Sequence, residues 1–462
     1  MEWFVDPSVN QEALNRFFDV MNSEDYEVHT LQVFKGDHQI LRIALEPYSC
    51  TDAREVYSLS KMFASTVVGI AVDMGLVRVE DRLVDIFQRK NASEKFSHMT
   101  LKHLLSMNTG HDRCVMPDMY FAKSSVEGFF SVEPVYEPGT HFTYNTGASC
   151  MLCSVVEKVT GMDFFDFACA HLFYPMGITN VSWNRCHDGV CCGGVGLHVS
   201  NDDIVKLGLM YSHNGVFNGR RILSESWVRE ASSYVSNNSA NGNPDWCSGY
   251  GYQIWLNSRE GYRGDGAFGQ LCMILPVHDM VVAVQAIGND MQSEIDHVCE
   301  LVDDLIGCGG EGKVYSYVPL TGDGEIPAVD AVYRLEENPA DFRTVWMKSD
   351  KDSVQLVFSD GSELQTVKAK PGCWTVNKCA AKHMSPTLFG LEPTESKERI
   401  TIAASCAQVG EKTVICQRYR NNPHTEHVEI TLDEKRIRIQ YVEPWGRNLR
   451  PENMKTLTGI KI

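Results

Sequence analysis

The sequence predicts an α/β domain with one antiparallel sheet covered by helices and a helical subdomain, followed by an all-β barrel or sandwich. Three observations carry this reading. Strand-like runs lie at both ends of residues 1–306 with helical periodicities between them. A glycine-rich break, Gly-Cys-Gly-Gly-Glu-Gly, follows Leu305-Ile306. From about residue 330 the chain becomes a succession of short β-branched and aromatic runs. The domains are accordingly set at 1–308 and 309–462, and a chain of 462 residues is long enough for two sizeable cores.

In chain order, the amphipathic segment QEALNRFFDVM precedes two alternating apolar runs, VHTLQVF and QILRIAL, joined by Lys35-Gly36-Asp37-His38, a hairpin signal. Helical patterns follow around residues 59–75, 100–107, 148–160, 202–213, 223–234 and 291–306, with Asp202 and Ser224 as expected caps of the fourth and fifth. Three strands are expected at GYGYQIWLN, QLCMILP and MVVAVQAIG. Beyond the break, nine runs read as strands: AVYRLE, FRTVWMKS, SVQLVFS, SELQTVKA, CWTVNK, ERITIAA, KTVICQRYR, TEHVEITL and RIRIQYV. No repeat is present.

The formal charge of −18 repels phosphate backbones and anionic lipid, so neither nucleic acid nor a membrane surface is an expected partner. The first basic residue is Arg16, after Glu2, Asp6 and Glu12, the reverse of a secretory leader. The longest strongly apolar stretch, Val67 to Val72, is far below the ~20 residues that span a bilayer. A cytoplasmic location is expected. The 16 cysteines form no regular framework, so buried thiols rather than disulfides are expected. Cys150 and Cys153 lie one helical turn apart. Cys186-His187 with Cys191-Cys192 gathers four possible ligands, but no second pair stands at zinc-finger spacing. This cluster reads as a loop with incidental thiols, and neither a metal nor another cofactor is expected.

Chemistry is suggested first by Ser58-Leu59-Ser60-Lys61 at the head of the apolar run KMFASTVVGIAVDMG. Residues three apart share a helical face, so Lys61 can lie beside the Ser58 hydroxyl. A serine hydroxyl is a poor nucleophile until a neighbouring base accepts its proton, and burial lowers the pKa of an amine toward that task. A helix N-terminus adds positive potential and the backbone N–H of Ser58 for a developing oxyanion. Taken singly, these residues have ordinary readings: Ser58 a cap, Lys61 a solvated cation, Tyr144 a half-buried aromatic, Gly264 to Gly269 a turn.

Taken in order, Ser58-x-x-Lys61, TLKHLLSMNTG, EPGTHFTYNTG, GGVGLHVSNDDIVKLGLMY and NGRRILSESWV resemble serine hydrolases of the class C β-lactamase and penicillin-binding-protein superfamily, whose members include esterases, D-aminopeptidases and nylon-oligomer hydrolases. The resemblance covers about residues 30–305. It implies a β-lactamase/DD-peptidase-like fold and an acyl-enzyme mechanism on small esters, amides or peptides, with Ser58 as nucleophile, Lys61 as its proton acceptor or electrostatic partner and Tyr144 as the second acid/base. The family commonly has Asn two residues after the Tyr; here Asn145 intervenes and Thr146 holds that position.

The family's third element, a strand bearing Lys-Thr-Gly or His-x-Gly, corresponds to Gly264-Asp265-Gly266-Ala267-Phe268-Gly269-Gln270. Ala267 is expected to supply the second oxyanion-hole N–H with Ser58, while Asn145, Thr146, Gly264, Asp265, Gly266 and Gln270 are expected to line the substrate. The cation of that strand is missing, which disfavours β-lactams and D-Ala-D-Ala, and alternation aims Arg263 to the other face from Gly264. His103, His111 and His278 have no expected catalytic part. The alternatives are a β-lactamase or D-amino-acid peptidase of the same family, a non-catalytic ligand-binding relative, or a hydrolase domain that presents its lipocalin-like β-domain to a partner.

Overall fold

A computed structural model describes residues 2–24, 26–307, 309–380, 399–443 and 455–462. The chain divides into two compact units, residues 1–44 with 49–314, and residues 45–48 with 315–462.

The first unit is organised on a seven-stranded antiparallel sheet. Its strands are β1 (Glu2–Val5), β2 (Glu27–Lys35), β3 (His38–Ala44), β4 (Trp255–Leu256), β5 (Tyr262–Gly266), β6 (Gln270–Leu275) and β7 (Met280–Ile287), in the order β1-β3-β2-β7-β6-β5-β4. The N-terminal hairpin and the late strands thus meet at the β2–β7 seam, where Thr30 lies opposite Gln285. Gly36 makes the hairpin turn with φ +55. Two details differ from the sequence reading. Of GYGYQIWLN only Trp255–Leu256 is strand, because its tyrosines turn inward as packing residues. The short strands Glu2–Val5 and Tyr262–Gly266 add to the sheet.

Five longer helices accompany the sheet: α1 (Gln11–Ser23), α2 (Ser60–Asp73), α3 (Thr146–Thr160), α4 (Asn201–Ser212) and α5 (Met291–Asp304). α2 is apolar all round and buried from Ser60 to Ala71, as expected for a helix enclosed on every side. It packs on α3, which also touches the short helices Leu101–Leu105, Met116–Tyr120 and Ser125–Phe130, forming the expected helical subdomain. α4 lies on β6 and β7. Its cap is Ser200 rather than Asp202: the Ser200 hydroxyl accepts from Asp203 N and the Asp203 carboxylate accepts from Ser200 N, a capping box that starts the helix two residues earlier. Ser224 caps Glu225–Ala231 as expected. Among the described residues no helix is long and apolar enough to cross a membrane.

The second unit is a ten-stranded antiparallel barrel sheet. Its strands are β8 (Val329–Leu335), β9 (Thr344–Asp350), β10 (Ser353–Ser359), β11 (Leu364–Ala369), β12 (Thr375–Ala380), β13 (Arg399–Val409), β14 (Lys412–Tyr419), β15 (Thr425–Leu432), β16 (Arg436–Val442) and β17 (Thr456–Lys461). The order is β11-β10-β9-β8-β17-β16-β15-β14-β13-β12, which brings the two edge strands together. There the Asn377 amide takes the place of a ladder, accepting from Lys368 N and donating to Lys368 O, both at 2.8 Å. Alternate side chains such as Val345, Met347, Leu356 and Ile439 fill one core. Nine strands correspond to the nine runs read from the sequence; the tenth, Thr456–Lys461, inserts between the first and the ninth. The start of the run ERITIAA lies outside the described residues.

Candidate active site

Tyr57, Ser58 and Leu59 form a short 3₁₀ turn that feeds directly into α2, so the α-helix proper begins at Ser60. Tyr57 carries a left-handed φ of +45 although it is neither glycine nor asparagine. That conformation costs of order 1–3 kcal/mol and survives only where surrounding packing enforces it. Here the Tyr57 ring packs edge-on against Phe268 at 5.2 Å between centroids, and Phe268 is itself left-handed at φ +71. Residues 57 and 268 flank Ser58 and Ala267, so this one aromatic contact ties together the two segments expected to donate N–H groups to an oxyanion. Strand β5 approaches equally closely: a Cβ on Gly266 would overlap the Val56 carbonyl oxygen, and one on Gly264 would stand 2.6 Å from Leu59 Cδ1 and 2.9 Å from Met62 Sδ.

Ser58 is half-buried, whereas Lys61 is 1% exposed. The Lys61 ammonium donates to Ser58 Oγ at 3.0 Å, to Thr146 Oγ1 at 3.2 Å and to the Gly194 carbonyl at 2.8 Å. Among the described residues no carboxylate pairs with it, and burial pulls Lys61 down to about 7. Tyr144, immediately before the Asn145 cap of α3, presents its ring face to Lys61 Nζ at 4.7 Å from the centroid and its hydroxyl to Ser58. Desolvation first, then the nearby Asp265 carboxylate, push the phenol well above its ordinary value, so Tyr144 is protonated at neutral pH. Ser58 and Lys61, from the 3₁₀ turn and the first turn of α2, are thus brought together with Tyr144 and Thr146, which flank the Asn145 cap of α3; Lys61 and Thr146 are 85 residues apart in sequence.

The expected substrate-lining set divides differently. Asn145 is fully buried and faces the backbone, its Oδ1 accepting from Gly147 N and Val115 N at 3.0 Å each. It caps α3 and does not line a cleft. Gln270 likewise turns inward, its amide donating to Ala286 O at 2.8 Å and to Ala267 O at 3.4 Å, which pins the turn carrying Ala267. Gly264 and Gly266 lie against the Val56–Met62 segment, where any side chain would displace strand or helix. Asp265 stands near Tyr144 and Lys61, with Arg263 bound to its Oδ2 at 3.0 Å. Arg263 is itself enclosed, donating to Asn257 Oδ1 at 3.0 Å and Asp245 O at 2.9 Å and lying over Trp246. It is fully engaged and supplies no cation to the cleft.

Two contributors carried no signal in the sequence. The Gly194 carbonyl is a backbone group, and no residue type announces it. The aromatic wall beside Ser58 arises from GYGYQIWLN: Trp255 stacks on Tyr144 at 5.2 Å and 25°, and Tyr250 meets Trp255 edge-on at 4.6 Å. His111 is a buried structural residue between Thr109 Oγ1 and Val132 O, and His103 accepts from Thr100 N at the cap of its helix.

The family model described as Beta-lactamase matches residues 33–296, more than half of the chain. Among solved structures, the octameric penicillin-binding protein homologue from Pyrococcus abyssi superposes with a TM-score of 0.51 at 14% identity, over 88% of this chain and 98% of its own. EstCE1, a hydrolase with promiscuous acyltransferase activity, gives 0.54 at 13% identity over 64% of this chain and 98% of its own. A family VIII carboxylesterase gives 0.51 at 16% identity over 65% and 97%. At such identities the likeness is one of fold.

Proposed function

The chain belongs to the Beta-lactamase family, and from that premise we propose that it is a serine hydrolase acting through an acyl-enzyme on small esters or amides that need no free carboxylate. The hydrogen-bond pattern of Lys61 carries the reading. A neutral amine has two N–H groups and one lone pair. With Gly194 O and Thr146 Oγ1 taking the two N–H groups, the lone pair is left facing the third neighbour, Ser58 Oγ. Lys61 is therefore the base and Tyr144 the acid. The Ser58 proton passes to Lys61 as Oγ attacks the carbonyl carbon. The N–H groups of Ser58 and Ala267 receive the oxyanion, and the Tyr144 hydroxyl gives its proton to the leaving group. The Lys61 ammonium, over the Tyr144 ring, stabilises the phenolate that results and can return a proton to it. Water then cleaves the acyl ester by the same steps in reverse order.

Carboxylate independence follows from β5. Position 264 holds a glycine with no room for a side chain, and Arg263 is consumed by Asp265 and Asn257. The test is a turnover panel of short-chain esters, anilides, D-amino-acid amides and penicillins with wild type and Ser58→Ala. Ester or amide turnover that disappears in Ser58→Ala is expected; turnover that survives it excludes Ser58 as the nucleophile.

A further inference from the structure

The loop that supplies Gly194 O to Lys61 also carries three cysteines, Cys186, Cys191 and Cys192, and meets two more on α3, Cys150 and Cys153. All five are buried, and no disulfide joins the described cysteines. The sulfurs are not evenly spread. Cys186 Sγ lies 3.4 Å from Cys150 Sγ and 3.9 Å from Cys192 Sγ, whereas Cys153 Sγ points to Ser149 O at 3.8 Å. Cys186 is also the member nearest to solvent, at the base of a turn whose tip, His187 to Gly189, is exposed.

We propose that Cys150 and Cys186 form an oxidation-sensitive thiol pair, joined to a disulfide by a peroxide, and that the bond is coupled to catalysis through the loop segment 186–194. Cys186 is the attacking thiol. The thiol hydrogen bonds from Cys150 and Cys192 hold its pKa below the usual thiol range, while Cys150 and Cys192 are raised by the same contacts. Its sulfur attacks one peroxide oxygen, breaking the O–O bond and releasing water, and becomes a sulfenic acid. The Cys150 thiol then attacks that sulfur, the S–O bond breaks, and a second water leaves. In total, two thiols and one hydrogen peroxide give one disulfide and two waters.

Closing the pair from 3.4 Å to the ~2 Å of a sulfur–sulfur bond draws the loop toward α3. The loop has little slack there. Gly193 lies on the Ser149 carbonyl with no room for a Cβ, and Gly194 sits against Thr146 and Lys61 Nζ. Displacement of the loop is therefore passed to the carbonyl that accepts from Lys61.

The test treats the full chain with graded hydrogen peroxide, blocks remaining thiols with N-ethylmaleimide under denaturing conditions, and maps unreduced peptides. A Cys150–Cys186 cross-link is expected to appear before oxidation of the exposed Cys373, to reverse with dithiothreitol and to persist in Cys192→Ala. A first bond between any other pair, or irreversible oxidation of Cys186 with no bond, overturns the proposal. The wild-type map decides this whether or not Cys150→Ala and Cys186→Ala fold. In a second arm, which rests on the hydrolase reading above, fluorophosphonate labelling of Ser58 should slow several-fold in the oxidised protein and recover on reduction. Unchanged labelling overturns the coupling. If reduced wild type is not labelled at all, the hydrolase reading fails while the thiol map still decides the disulfide.

Discussion

Gly266→Ala tests the proposed oxyanion hole separately from the rest of the site. Gly266 is not in the left-handed region, so alanine can adopt its backbone without strain, and the cost is purely steric. The added methyl would stand 3.1 Å from Leu59 N and well inside 3.0 Å of Val56 O, where ordinary contacts begin at 3.4 Å. Both are backbone atoms that no rotamer change can move. Strand β5 must then retreat from the Ser58 turn by about 1 Å, carrying Ala267 N–H with it. Overpacking of this kind costs about 1–3 kcal/mol of stability. Losing one oxyanion donor costs about 10²–10³ in kcat. KM should change little, because the donor acts on charge that develops only in the transition state. The assay is ester turnover together with thermal melting, with Gly219→Ala as control: its φ of +75 brings strain, but nothing lies within 4 Å of the new methyl and the site is untouched. A Gly266→Ala enzyme that melts lower yet keeps kcat within threefold would refute the placement of Ala267 in the hole.

The remaining predictions concern the charged groups. With Lys61 held down to about 7, kcat/KM should rise with pH through about 7, since the amine is the base only above that pKa; a flat profile from pH 5 to 9 contradicts the assignment. Lys61→Ala and Tyr144→Phe should be strongly non-additive, the double variant little worse than the poorer single one, whereas losses that multiply fully would mean the two act independently. Gly264→Lys should destabilise the fold and leave penicillin turnover weak, because the new side chain meets Leu59 and Met62; the missing charge-assisted bonds correspond to about 1.5–3 kcal/mol, or roughly 10–150-fold in binding. Glu294, buried beneath Gly269 and raised to about 8, is protonated in the fold but not in the unfolded chain between about pH 4.5 and 8. Its contribution to stability is thus present at acid pH and is lost as pH rises through about 8. Glu294→Gln should flatten that decline in melts taken from pH 5 to 9, and an unaltered decline would count against it.

Local spacing carried the short-range part of the site. Three residues of separation placed Lys61 beside Ser58, and alternation along β5 correctly turned Arg263 away from the Gly264 face. Long-range placement was another matter. Nothing in the composition of residues 141–150 brings Tyr144 to Ser58; family resemblance did so. A resemblance transfers motif positions but not side-chain directions. Asn145 and Gln270 were therefore expected at the substrate, whereas each is turned into the fold to satisfy backbone groups. The Asp202 cap failed for a local reason: Ser200 and Asp203 offer a reciprocal pair of bonds, which a lone aspartate cannot match. In the barrel, alternation exposed nine strands, while Thr456–Lys461 carries no such signal because Gly459 interrupts the β-branched and aromatic pattern of its run TLTGIK.

The central claim, that Ser58 becomes acylated, is most directly tested by intact-mass measurement of the full chain after exposure to a fluorophosphonate and to a panel of esters, amides and β-lactams, with peptide mapping of any adduct. One stoichiometric fluorophosphonate adduct is expected on Ser58, with a transient acyl adduct from esters or amides on the same residue, and neither in Ser58→Ala. An adduct mapped to another residue, or equal labelling of the alanine variant, would contradict it.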